Sequence, residues 1–327
     1  MSTILVSGGA GYIGSHTVKR LHEQGFTPVV LDNLSTGHSD FLRWGSFVLG
    51  DVGSAETLDA VFSAQRVDAV IHFASSICVG ESATDPLTYY ANNVANTIAL
   101  LQAMRRNAVP LFVFSSSCAV YGPPFDGLLR EDHPVGPISP YARTKLMVEL
   151  ILEDCARAFG LKYACMRYFN AAGADPGAQV GERHLPETHL IPLVLQVALG
   201  QRPEVKLLGD DYSTPDGTCI RDYIHVQDLA EAHVLALRYL EAGGRSGAVN
   251  LGNGTGYSVR EVLDAAASVT GKAIPYSVVP RRPGDSPRLV GDASKARDVL
   301  GWKPEYPDIR EILATAWQWH KADYGSH

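Results

Sequence analysis

Apolar residues recur in short unbroken runs through the first half of the chain, at 4–7, 28–31, 47–49, 69–73, 111–115 and 163–167. Runs this short, without polar alternation, have the pattern of strands buried on both faces. Between them, over 13–24, 55–64, 86–106 and 140–159, apolar positions return at helical spacing. Strand and helix in alternation predict an α/β fold: a doubly wound, parallel Rossmann-type sheet with helices on both sides. After Asn170 the periodicity fails, and 171–188 is rich in Gly, Pro and charge. Irregular stretches of that length are more often functional than mere connectors. Two more turn-rich stretches, 209–218 and 280–287, point to a smaller C-terminal α/β domain facing the strand ends of the first. The runs at 222–239 and 248–251 return to the first domain in this reading.

Composition narrows the class. A length of 327 residues suits two domains at roughly 150 residues each. With 46% hydrophobic and 19% charged residues, disorder is excluded. The net charge of −7 argues against a nucleic-acid partner. No apolar run approaches the ~20 residues of a membrane helix, so no membrane partner is expected. The opening Met1-Ser2-Thr3-Ile4-Leu5-Val6 lacks the features of a secretory signal. Five scattered cysteines without a CxxC pair predict neither a disulfide framework nor a zinc site. A reduced, cytoplasmic protein without a metal is the expectation.

Gly8-Gly9-Ala10-Gly11-Tyr12-Ile13-Gly14 follows the first strand and opens the first helix. Glycines there allow a tight turn and close approach of a pyrophosphate to the helix N-terminus. Strand, glycines and helix in this order predict a dinucleotide site. Asp32 ends the second strand, 18 residues after Gly14. A carboxylate there accepts from ribose hydroxyls and repels a 2′-phosphate, which favours NAD over NADP. Asp51, ending the third strand, is placed to reach the adenine edge.

Tyr141 and Lys145 stand four residues apart after the helix start Ser139-Pro140, so they share one helical face. A free phenol, with pKa ~10, is a poor base. A nearby ammonium and a positive nicotinamide ring both favour phenolate. Lowering the pKa by ~3 units takes about 4 kcal/mol. The strand ending in Ser115-Ser116-Ser117 would bring Ser117 to the same crevice. Tyr141, Lys145 and Ser117 are the candidate catalytic set.

With these motifs in hand, the chain resembles the extended short-chain dehydrogenase/reductases, and within them the UDP-glucose 4-epimerase family. The resemblance spans nearly the whole length. It rests on GGAGYIGSH at 8–16, DNL at 32–34, HFA at 72–74, SSSCAVYG at 115–122, SPYARTKLMVE at 139–149, RYFN at 167–170, DGTCIRDYIH at 216–225 and RRPGD at 281–285. It implies tightly bound NAD, not net consumed, and reversible inversion at C4 of a UDP-hexose through a 4-keto sugar. Tyr141 would act as base, Lys145 would hold the nicotinamide ribose, and Ser117 would shuttle the proton. Cofactor contacts would come from Gly8, Gly11, Tyr12, Ile13 and Gly14, then from Asp32, Asn33, Leu34, Ser35, Thr36 and Gly37. Asp51, Val52, Phe73, Ala74, Ser75, Asn92, Ser115 and Phe169 would complete that site.

The resemblance implies that the UDP-sugar is held by Arg221 and Arg282 at the diphosphate, Asp285 at the uridine ribose, Lys206, Leu207 and Leu208 near uracil, and Asn170, His189 and Leu190 near the diphosphate or sugar. Residues 1–172 plus roughly 222–252 would form the NAD-binding domain, and 173–221 plus roughly 253–327 the UDP-sugar domain. A homodimer is implied, pairing the helix of Tyr141 through Leu146, Leu150 and Ile151. Three positions depart from the family: Ile77 for a lysine near the cofactor phosphates, His189 for an asparagine, and Leu289 at a position that gates sugar size. Glucose, N-acetylhexosamine and pentose substrates therefore stay open. The alternatives are a dehydratase, decarboxylase or reductase on the same cofactor fold, or a non-catalytic NAD sensor.

Overall fold

The computed structural model describes residues 1–122, 127–281 and 285–324. The chain opens with β1 (Thr3–Ser7), α1 (Tyr12–Glu23), β2 (Thr27–Asp32), β3 (Ser46–Leu49), α2 (Ala55–Ala64) and β4 (Ala69–His72). Next come α3 (Val79–Thr84), α4 (Pro86–Tyr90), α5 (Asn96–Arg106), β5 (Leu111–Ser117), α6 (Pro140–Phe159) and β6 (Lys162–Tyr168). All the strands among these pair in parallel, and the sheet runs β3-β2-β1-β4-β5-β6. The chain leaves β1 toward one edge, then crosses to β4 on its other side. Ligands of such sheets bind beyond the C-terminal strand ends at this switch point.

Both faces are buried because successive strand residues point to opposite sides. Ile4 and Val6 of β1 enter one core with Val18 and Leu21 of α1. Leu5, between them, enters the other with Leu58 of α2, Leu100 of α5 and Leu152 of α6. The main helix of the site is set by local chemistry. Ser139 Oγ accepts from the Ala142 N–H at 3.2 Å, Pro140 occupies the first turn, and Gly160 ends α6 in the left-handed conformation at φ 78°.

The second half holds β7 (Asn170–Ala172), α7 (Leu190–Ala198), β8 (Val205–Leu208), β9 (Ile220–His225), α8 (Val226–Glu241) and β10 (Gly247–Leu251). It closes with β11 (Gly256–Ser258), α9 (Val259–Thr270), β12 (Tyr276–Val279), β13 (Arg288–Leu289) and α10 (Ile309–Tyr324). β10 joins β6 as the seventh parallel strand, and α8 packs against α1 over the same face. β9 lies instead in a small sheet between β11 and β13, with β7 also beside it. The return to the large sheet thus begins with α8, a few residues later than the expected 222. A third core, with Ile191, Leu195, Leu207, Tyr223, Val262 and Leu313, holds the smaller part together.

The helix expected over 86–106 is one helical path with a π-helical turn at Ala91–Ala95 between α4 and α5. Of the apolar residues expected to face a second copy, only Leu150 is well exposed. Leu146 and Ile151 lean into neighbouring clusters, because the helix turns them back toward the sheet. Among the described residues no helix is long and apolar enough to cross a membrane.

Candidate active site at the switch point

The glycine turn sits at the C-terminal end of β1. Gly8 has φ +76°, and a Cβ there would stand 2.5 Å from the Ala74 nitrogen. A Cβ on Gly14 would meet the Gly8 carbonyl oxygen at 2.1 Å. These two glycines let the turn close against the loop after β4 and let α1 sit on the turn. Gly11 differs: within 4 Å its Cβ would meet only the Gly8 oxygen, at 3.4 Å, so its outer side is open. Gly11 caps α1 without any side-chain acceptor. The first N–H groups of the helix, from Tyr12, Ile13 and Gly14, are thus presented with the positive end of the helix dipole. The donor set and the open cradle fit a pyrophosphate.

Asp32 is buried at the end of β2. Its Oδ2 accepts from Ala10 N–H at 2.9 Å and its Oδ1 from Leu34 N–H at 2.8 Å. The carboxylate therefore ties the glycine turn to the following loop while each oxygen keeps a further lone pair. Gly37 must be small, since its Cβ would lie 2.8 Å from Asp32 Oδ1. Asn33 Nδ2 donates to Asp51 Oδ2 at 2.8 Å and its Oδ1 accepts from Ser35 N–H at 3.0 Å. Thr36 is exposed on this loop and Val52 is buried behind Asp51. An acidic rim of this kind suits unphosphorylated ribose hydroxyls.

Lys145 is only 2% exposed, and its Nζ donates to Ser75 Oγ at 2.9 Å and to the Ser115 carbonyl at 2.8 Å. The Tyr141 ring centre is 5.8 Å from that nitrogen. Burial pulls the Lys145 pKa down to about 7, opposed by the Glu149 carboxylate. Burial pushes the half-buried Tyr141 up to about 12, with a hydrogen bond from Ser117 acting the other way. The chain's own groups therefore leave a neutral phenol beside a loosely held proton. The expected depression of Tyr141 needs positive charge from outside the chain. Ser117 Oγ also accepts from Ala119 N–H at 3.2 Å, which fixes the turn after β5.

Further side chains support the site; of these, Tyr168, Asn93, Glu149, Arg167, Tyr121 and His233 were not singled out as site residues from the sequence, whereas Asn92, Phe73 and Phe169 were. Tyr168 hydrogen-bonds Ser115 Oγ beside the Lys145 site. Asn93, buried in the π-helical turn, accepts from Ser76 N–H at 2.8 Å and donates to Ser76 O at 3.0 Å and Thr144 Oγ1 at 3.1 Å. It joins the loop carrying Ser75 to the helix carrying Lys145. Asn92 Nδ2 donates to Ser76 Oγ at 3.0 Å. Behind β5, Glu149 accepts from Ser116 Oγ and pairs with Arg167, and Arg167 reaches Tyr121 Oη at 3.0 Å. Phe73 packs against His233, and the Phe169 ring occupies the space beside Gly291.

The expected UDP-sugar residues fall into three groups. Arg221 and Asp285 are brought together as an ion pair, with Leu289 in register beside Arg221. Arg282 lies outside the described residues. Asn170, His189 and Leu190 line one cavity of about 50 Å³ with Glu182 and Tyr223. The His189 side chain is engaged by Glu182 and Glu187; burial lowers its pKa, but the two carboxylates prevail and raise it to about 10. Lys206 is turned to solvent and reaches Ser277 Oγ at 3.0 Å, while Leu207 is buried and Leu208 half-buried. Ile77 is exposed at the rim. A larger cavity of about 640 Å³ lies at the other end of the sheet, lined by Ser2, Asp68 and Pro110, away from this chemistry.

A glycine turn at the switch point of a parallel sheet, with a buried lysine and a tyrosine one helical turn apart, defines a dinucleotide-dependent enzyme class. Residues 4–252 match the model of the NAD dependent epimerase/dehydratase family. A UDP-glucose 4-epimerase of Halalkalibacterium halodurans is 52% identical over 318 residues, 97% of this chain and 95% of the relative. The crystal structure of UDP-glucose 4-epimerase from Brucella ovis in complex with NAD is 49% identical, with TM-score 0.95, covering 97% of this chain and 98% of that one. A UDP-glucose-4-epimerase structure from Stenotrophomonas maltophila, with bound NAD and formylated UDP-arabinopyranose, is 42% identical with TM-score 0.97 and full coverage of both chains. The chain belongs to the NAD dependent epimerase/dehydratase family, in its UDP-glucose 4-epimerase branch.

Proposed function

We propose that this chain reversibly inverts C4 of a UDP-hexose, interconverting UDP-galactose and UDP-glucose, with NAD held at the glycine turn. The observation that carries this reading is the buried Lys145 Nζ between Ser75 Oγ and Ser115 O, with Tyr141 beside it at the switch point. Bound NAD supplies reversible acceptance of a hydride, the chemistry that inversion through a 4-keto sugar requires. Gly11, Tyr12, Ile13 and Asp32 hold the cofactor's phosphates and ribose. Tyr141 Oη removes the proton of the sugar 4-hydroxyl and returns it; Ser117 Oγ, hydrogen-bonded to the phenol, carries it over the last step. Lys145 orients the nicotinamide ribose.

The chain divides, in this proposal, into an NAD-binding part of residues 1–172 with roughly 222–252, and a UDP-sugar part formed by the rest. Arg221, Arg282 and Asp285 hold the UDP, and Asn170 and Leu190 border the sugar. Arg221 must exchange its pairing with Asp285 for phosphate oxygens when the ligand enters. N-acetylhexosamines and pentoses are further candidate substrates, because Leu289 stands at the gating position. The dehydratase and decarboxylase readings are disfavoured, since the residues after Ser117 are Cys118 and Ala119. Burial pushes the Cys118 thiol up to about 12, which leaves it unfit as a base.

A cytoplasmic homodimer completes the proposal. All five cysteines stand as thiols, which supports the compartment. Exposed Leu87 on α4 and Met147 and Leu150 on α6 support a second copy, which light scattering at twice the chain mass would verify and a monomer mass would refute. The activity itself is tested with purified protein, UDP-galactose and no added cofactor. UDP-glucose should form, and Tyr141→Phe should abolish it; no product, or undiminished turnover in the variant, would defeat the proposal.

A further inference from the structure

Just ahead of α7, eight residues of sequence bring two carboxylates and two imidazoles together: Glu182, His184, Glu187 and His189. One oxygen or nitrogen from each lies within 4.8 Å of the other three. His184 Nδ1 is 3.4 Å from Glu182 Oε1 and 3.6 Å from Glu187 Oε2. His189 Nδ1 is 3.0 Å from Glu182 Oε1 and 3.1 Å from Glu187 Oε1. Both carboxylate side chains are only 4% exposed.

We propose that Glu182, His184, Glu187 and His189 form a four-coordinate site for a divalent transition-metal ion of the zinc type. The distances carry the argument. Ligands held 2.0–2.2 Å from a tetrahedral ion stand about 3.3–3.6 Å from one another along the edges of the tetrahedron. The imidazole–carboxylate separations, 3.0 to 3.6 Å, lie around that edge length, with Glu187 facing His184 through Oε2 and His189 through Oε1. His184 Nδ1 is buried and forms no hydrogen bond, although two carboxylates face it. At His184 that spacing suits a shared central atom better than direct bonding.

Charge is consistent with such an ion. Two buried carboxylates need two positive charges close by, because an unpaired ion out of water is costly. A divalent ion with two neutral imidazoles supplies them, and each nitrogen lone pair becomes a ligand. Two imidazoles beside two carboxylates favour zinc over calcium or magnesium, which take oxygen ligands almost exclusively.

Four protein ligands fill a tetrahedral ion, so the site is structural rather than catalytic. Its place in the fold says what it would hold. Trp319 Nε1 donates to the Glu182 carbonyl at 3.1 Å, and the His184 ring lies edge-on to Tyr12 of the glycine turn, 6.3 Å between centres. Glu182 and His189 also line the cavity shared with Asn170. An ion here would lock the wall of that cavity to α10 and to the start of α1, and would keep the His189 ring turned away from a bound diphosphate.

The test uses the full chain, stripped with a chelator, dialysed, and then titrated with zinc chloride while bound metal is measured by elemental analysis. Uptake of one zinc per chain is expected, with that uptake lost in His184→Ala and in Glu187→Gln. Cobalt(II) in place of zinc reads the geometry without any substitution: the wild-type chain should develop the intense visible absorption of a tetrahedral ion. Three results would overturn the proposal: substoichiometric zinc in the wild-type chain, uptake unchanged in both variants, or the pale spectrum of octahedral cobalt.

Discussion

Glu149 is the residue whose removal should show most clearly how the site is held. Its carboxylate accepts from Ser116 Oγ at 2.5 Å and from Arg167 Nε at 2.9 Å, and it pairs with a second Arg167 nitrogen. Both side chains of the pair are 8% exposed. Glu149 sits one helical turn after Lys145 and Ser116 lies in the strand that ends at Ser117, so this one carboxylate fastens the catalytic helix to the catalytic strand. Glu149→Gln keeps the shape and removes the charge, leaving the Arg167 guanidinium buried without its anion. Breaking one side of a buried pair costs about 3–5 kcal/mol. For 327 residues, an unfolding entropy near 2.1 cal/mol/K per residue sums to about 0.7 kcal/mol/K. The expected fall in Tm is then about 4–7 °C, read by calorimetry or circular dichroism. The double change Glu149→Leu with Arg167→Met should cost less than Glu149→Gln, because no charge stays stranded. A fall below about 1 °C for Glu149→Gln, or a double variant as costly as the two single changes together, would refute the reasoning.

Two further expectations follow from the same geometry. In Gly14→Ala the new methyl would lie 2.1 Å from the Gly8 oxygen, so the helix must move off the turn; NAD extracted from the purified variant should fall at least tenfold, and unchanged cofactor content would rule out the steric argument. Lys145→Met concerns stability against pH. Burial lowers the folded-state pKa of Lys145 to about 7, against about 10.4 when unfolded. Below pH 7 the folded chain bears the whole cost of the buried charge, and the cost fades as pH rises toward the unfolded value. In the cofactor-free chain, Lys145→Met should therefore be more stable than wild type by about 3–5 kcal/mol at pH 6–7, with the advantage shrinking toward pH 10. Denaturation midpoints that differ equally at all pH values would contradict this.

The large sheet was legible because its central strands are buried on both faces and write unbroken apolar runs; the edge strand β3 keeps such a run although Phe47 and Leu49 are exposed, and β10 appears near 248–251. β9 was harder, since its partners β7, β11 and β13 are chosen by long-range pairing that no local pattern reports. The π-helical turn at Ala91–Ala95 inserts a residue without breaking the helical pattern, and Asn93 gains its bonds to Ser76 and Thr144 there. Tyr141 and Lys145 stood out not from their spacing alone but from that spacing together with the strand end at Ser115–Ser117 and the glycine turn. The partners of Lys145, Ser75 and the Ser115 carbonyl, depend on the register of β4 and β5 and were reachable only through the family motif. Glu149 and Arg167 stood inside quoted motifs but met only across the β5–β6–α6 layer. The E-x-H-x-x-E-x-H run at 182–189 was visible in the sequence, yet a search for cysteine pairs passes over it. It also explains why His189, expected at the substrate, faces two carboxylates instead.

The central claim is that C4 is inverted by removing its hydrogen as hydride and returning the same hydrogen, while Tyr141 handles only the hydroxyl proton. UDP-galactose carrying deuterium at C4 should be incubated with the purified protein in ordinary water, and the UDP-glucose formed examined by NMR and mass spectrometry. Full retention of deuterium at C4 is the expected result. Deuterium lost to solvent would mean that the hydrogen leaves as a proton, and then neither NAD as hydride carrier nor Tyr141 as base to the hydroxyl alone would stand.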